Sequence, residues 1–80
     1  MKYTKYFEFT KLRTDRMGIK EEWIAKAFFE PIFEEIQSDE RIRRWAKIPE
    51  ADYKYLRIVI LEDNETIHNA FFDRSFKEKL

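Results

Sequence analysis

Seven side chains in this 80-residue sequence are of types that could do chemistry together. They are Arg41, Arg43, Trp45, Lys47, Arg57, His68 and Arg74. The run Arg41-Ile-Arg-Arg-Trp45-Ala-Lys47 is the most unusual local feature. On a strand it puts Arg41, Arg43, Trp45 and Lys47 on one face. Guanidinium groups bind phosphate and an indole stacks on bases, so three cations around a tryptophan make an RNA-binding surface. The same residues also read as a solvated strand whose arginines pair with Glu34, Glu35 and Asp39 across a hairpin. Arg57, flanked by apolar residues, is either an anion clamp or a member of a cross-strand ion pair. Arg74 follows Phe71-Phe72-Asp73 and supplies a second guanidinium at a strand end, or pairs with Asp73. His68 is the single histidine and the one side chain that titrates near neutrality when unperturbed. It is therefore the natural general acid or base, with a structural role as the alternative. Lys11, Arg13 and Arg16 form a further basic group, either solvated or in contact with phosphate.

Many chemistries are excluded. The sequence has one glycine, one histidine and no cysteine. It therefore has no glycine-rich phosphate loop, no paired histidines for zinc and no nucleophile elbow. No metal or cofactor site is expected, and no disulfide holds the fold. Sixteen basic residues balance sixteen acidic ones, which argues against a bulk electrostatic nucleic-acid binder but permits a local basic face. Aromatics at 18% can fill one core. No apolar run approaches the ~18 residues of a membrane span, and the first residues do not read as a signal peptide. A cytoplasmic single domain over residues 1–80, with no membrane partner, is the expectation.

The elements that must position these side chains follow from periodicity. Tyr3 to Phe9 alternates and predicts a first strand. Thr10 predicts the cap of a short helix over Lys11–Met17, stopped by Gly18. Ile19, Trp23, Ile24, Ala27 and Phe28 recur at helical spacing, and Pro31 ends that helix. Ile32–Gln37 and Arg41–Ile48 predict a hairpin around Ser38-Asp39-Glu40. Tyr53–Glu62 predicts the strongest strand, with Leu56, Ile58 and Ile60 opposite Arg57, Val59 and Leu61. Thr66–Asp73 predicts another, with His68 sharing the face of Ala70 and Phe72, and Arg74–Leu80 reads as a polar, partly helical tail. The fold class is α+β, in the order β-α-α-β-β-β-β. An antiparallel meander packs on N-terminal helices and leaves its other face to solvent or a partner.

The whole pattern has a likeness. Arg13-x-x-Arg16-Met-Gly-Ile19-x-Glu-Glu-Trp-Ile24 is followed by a proline. Gln37-x-Asp-x-Arg41-Ile-Arg-Arg-Trp45-x-x-Ile48, Tyr55-Leu-Arg-Ile-Val-Ile-Leu61 and Asn69-Ala-Phe-Phe-Asp-Arg74 come next. Over residues 6 to 76 this resembles short prokaryotic domains related to the BrnT-like and RelE/ParE-like toxins. The resemblance implies a metal-independent endoribonuclease held by an antitoxin protein, in which a 2′-hydroxyl attacks the adjacent phosphate. Arg74 matches the arginine that closes the last strand in BrnT-like toxins. Arg57 would be the second clamp, and His68 or a lysine the proton carrier. Glu40, Ala46 and Asn64 stand where related sequences often carry glycine, and Lys11 where a histidine is common. A noncatalytic protein-interaction domain, as a homodimer or with another chain, is the reading from a different class.

Overall fold

Alternation along the central strands decides the architecture. In the computed structural model, which describes residues 1–14, 16 and 18–78, Leu56, Ile58 and Ile60 are shut off from solvent. Arg57 and Val59 between them are only half-buried. One side of the strand is therefore core, and it needs a cover. The elements run β1 (Lys2–Tyr3), α1 (Lys5–Thr10), α2 (Glu21–Phe29), β2 (Phe33–Ile36), β3 (Ile42–Ile48), β4 (Lys54–Ile60) and β5 (Thr66–Phe72). A 3-10 turn at Pro49–Ala51 joins β3 to β4. This is the expected order of helices and strands.

The strands form one five-stranded sheet in the order β1-β5-β4-β3-β2. From β2 to β5 it is an antiparallel meander, and β1 adds a short parallel edge beside β5, so the sheet is mixed. Helix α2 lays Trp23, Ile24 and Ala27 on the sheet, and α1 adds Phe7. They close over Ala46, Ile48, Leu56, Ile58, Ile60, Ile67 and Ala70. Each fully buried leucine or isoleucine stabilises the fold by roughly 1.5–3 kcal/mol relative to exposure. No helix of the described residues is long and apolar enough to cross a membrane.

The N-terminal segment differs from its expectation. Tyr3 to Phe9 is not a strand: only Lys2 and Tyr3 pair, and Lys5–Thr10 is helical. The reason is Thr4, whose hydroxyl accepts the amide hydrogen of Phe7 at 3.0 Å and caps a helix that ends at Thr10 instead of starting after it. Phe7 and Thr10, three apart, then face the core. The described residues from Lys11 to Gly18 are turns rather than a second short helix, and Met17, its expected end, lies outside the described residues. The described tail after Phe72 is not helical either.

The connections between the strands of the meander carry no glycine. Glu40 and Asn64 adopt positive φ of 70° and 61° at the two hairpin turns, and Asp52 and Tyr53 do the same before β4. Ala46 instead lies buried within β3.

Arg44 is directed to the helix-covered side. Its guanidinium donates to Glu34 at 2.6 Å, to the carbonyl of Phe28 at 2.8 Å and to Asn64 at 2.9 Å. It thus satisfies a carbonyl in the last turn of α2 and ties β2 and the β4–β5 turn to that helix. With only 13% of the side chain exposed, Arg44→Ala should destabilise the protein by about 2 kcal/mol in urea denaturation. Arg44→Lys should recover less than half, because an ammonium cannot reproduce the three-way fork.

Candidate functional site

The helices leave the second sheet face bare, and the chain closes it with aromatic rings and paired charges. Register brings Phe33 opposite Trp45 and Glu35 opposite Arg43 on β2 and β3. Trp45 lies opposite Arg57, and Arg57 opposite Phe71. Just past β5 the tail turns back. Phe76 stacks on Trp45 at 4.8 Å and Phe33 tilts against the same indole at 5.5 Å. Between these walls lies an open groove of about 550 Å³, bordered by Arg43, Arg57, Asp73 and the tail to Glu78.

Asp73 organises the groove. Trp45 Nε1 donates to its Oδ2 at 3.0 Å, and the amide and hydroxyl of Ser75 donate to its Oδ1 at 3.0 and 2.7 Å. Arg57 Nη1 stands 3.6 Å from Oδ2. Burial pushes the carboxyl's pKa up, but the hydrogen bonds from Trp45 and Ser75 and the charge of Arg57 outweigh it, so the net shift is downward.

Arg57 is less well served. Its guanidinium lies 4.3 Å from the ring centre of Phe71, and its side chain is 23% exposed. Nε is buried and has no hydrogen-bond partner. The contact with Asp73 is an ion pair too long for a good hydrogen bond. Burial, and secondarily the charge of Arg43, lower its pKa against the opposing pull of Asp73.

The other residues singled out in the sequence take varied positions. Arg43 lines the groove with its Nη1 at 3.4 Å from Glu35. Arg41 pairs with Asp39 at 3.8 Å. Two arginines of the run are thus engaged across the hairpin on the face that was a candidate for RNA. Trp45 is 4% exposed between two rings, which leaves it no free face for a base. Lys47 sits over the rings of Tyr53 and Tyr55, 5.8 Å from each. Arg16 crosses to this face from the loop before α2, donating to Asn69 at 2.6 Å and covering Phe71 at 5.2 Å. Lys11 pairs with Glu21 at 3.4 Å, and Arg13 is exposed.

His68 occupies a place that alternation does not foresee. A bulge in β5 sets Asn69 opposite Val59 but Ile67 opposite Ile60. Ile67 and Ala70 are therefore both buried, and the residue between the two registers, His68, falls outside simple alternation. Its ring stacks on Tyr6 at 4.7 Å, and its Nδ1 is 3.1 Å from the Thr4 hydroxyl. Burial, followed by the charge of Arg41, lowers its pKa and favours the neutral ring.

Arg57, His68 and Arg74 do not converge. His68 is three residues from the partner of Arg57, about 10 Å along the strand. Arg74 is exposed beyond the other end of β5. Sequence reasoning missed Phe33 and Phe76, and took Glu35 only as an ion-pair partner for the arginine run and Asp73 only as a partner for Arg74. A lone phenylalanine in a polar tail was the available signal for Phe76.

Removing the Asp73 charge tests this arrangement. Asp73→Asn should cost about 2 kcal/mol at neutral pH, read by the fluorescence of the adjacent Trp45 during denaturation. Because the native pKa is depressed, the contribution is complete above the ordinary value of 3.8 and is lost as pH falls through the native one. The acid-side slope of stability should therefore be shallower in the variant.

No family model, curated protein or solved structure matches this chain.

Proposed function

We propose that the chain is a noncatalytic interaction domain that engages a partner protein through the uncovered face of its sheet. The separation of Arg57, His68 and Arg74 carries this reading. Metal-independent RNA cleavage needs a base, an acid and a cation gathered about one phosphate. Here the histidine packs against Tyr6 and Thr4 at one end of β5, and Arg74 lies past the other. Arg41, Arg43 and Arg57 each stand beside a carboxylate, which lowers the positive potential available to a polyanion. What remains is an open groove in which the rings of Phe33, Trp45 and Phe76 stand beside paired charged groups, a surface suited to a protein partner.

An endoribonuclease restrained by an antitoxin is the second reading. One observation favours it: two guanidiniums, Arg43 and Arg57, border the same groove.

Incubation of the purified protein with structured RNA in the absence of divalent metal separates the two. The interaction reading expects intact RNA and unimpaired growth on expression, with Arg57→Ala and Arg74→Ala no different from the parent. RNA cleavage that disappears in Arg57→Ala would overturn it.

A further inference from the structure

Arg57 presents the unsolved part of the groove. A guanidinium has five N–H donors, and when largely buried it is normally matched by acceptors. This one makes no hydrogen bond to a described residue and has the 3.6 Å approach to Asp73 and the face of Phe71 as its neighbours. Asp73 is already occupied by Trp45 and Ser75. With Nε shut off from solvent, the end bearing the two Nη atoms is what an incoming acceptor can reach. We infer that the groove receives the C-terminal carboxylate of a partner polypeptide ending in an apolar residue, with Arg57 holding the carboxylate. This inference rests on the interaction reading and names its ligand.

Charge selects the class of anion. Arg43, Arg57 and Lys77 are balanced by Glu35, Asp73 and Glu78 around the groove. A dianionic phosphate would meet two carboxylates, Glu35 and Asp73, beside its target, and each repels it about twice as strongly as it repels a singly charged carboxylate. A planar carboxylate also matches the guanidinium geometrically. The apolar requirement comes from the rest of the lining. Ile32 and Phe33, 46% and 41% exposed, stand across from Phe76 and can cover a terminal aliphatic or aromatic side chain.

The shape selects a polypeptide. Small free ligands are held by sites that enclose most of their surface, whereas this groove is an open trough. It is bordered by β2, one of the two edge strands of the sheet, all four of whose residues are exposed. The amide of Gln37 donates across to Arg41, so alternation turns the backbone groups of Glu34 and Ile36 outward. An extended chain leaving the groove finds hydrogen-bonding partners there.

The probe is a fluorescein-labelled hexapeptide ending in phenylalanine, compared as the free acid and the C-terminal amide by anisotropy. The free acid should bind the parent protein at least tenfold more tightly than the amide. Arg57→Gln should erase that difference. Phe33→Ala should weaken the free acid about fivefold, with the denaturation midpoint measured alongside to show that the variant is folded. Equal binding of acid and amide overturns the carboxylate while leaving the interaction face standing. N-acetylphenylalanine binding as tightly as the hexapeptide replaces the polypeptide with a free acid. Failure of both peptides to bind overturns the inference. RNA cleavage lost in Arg57→Ala is the separate result that removes the interaction reading beneath it.

Discussion

Two helices of six and nine residues have to serve a sheet of five strands, and they can cover only one of its faces. That shortage of cover governs the rest of the molecule. The helix-covered side is a core of isoleucine, leucine and alanine under Phe7 and Trp23, held chiefly by burial. The opposite side cannot be solved with aliphatic side chains without exposing a large apolar surface. It is instead assembled from rings and charges, with Phe33, Trp45 and Phe76 stacked together and guanidiniums lying over Phe71.

Asp73 is where the two solutions meet. It ends the last strand, its amide donates to the carbonyl of Tyr55, and its carboxylate holds the tail, the indole and Arg57 together. A carboxylate with that many donors is well stabilised. The guanidinium beside it is not, because one acceptor cannot serve every donor near it. The resulting imbalance, a satisfied anion next to an underused cation, is what distinguishes this groove from the other ion pairs on the same face.

Much of this was legible in the sequence, and the parts that were not share a cause. The parity of β4 could be read directly, since burial follows Leu56, Ile58 and Ile60 without interruption. The hairpin of β2 and β3 was equally clear, down to the pairing of Arg41 and Arg43 with Asp39 and Glu35. Tyr3 to Phe9 misled because alternating aromatics fit both a strand and a short helix, and the cap at Thr4 breaks the tie. The β5 bulge left no local mark, so strict alternation from Thr66 to Phe72 does not hold at His68. The groove was hidden for the same reason: Phe76 meets Phe33 and Trp45 only after the meander has formed, and no short-range pattern records that meeting.

The sheet order also bears on how the chain assembles. From β2 to β5 each strand lies beside the next in sequence, so hairpin formation there closes only short loops. The first strand is different: Lys2 and Tyr3 join the far side of β5 at Thr66 and Ile67, across most of the chain. A two-residue ladder, the Thr4 and Tyr6 contacts to His68 and the packing of Phe7 offset the entropy of that closure. The N-terminal segment therefore docks after the meander exists and is the first to leave it, which makes β1 and α1 the least cooperative part of the fold.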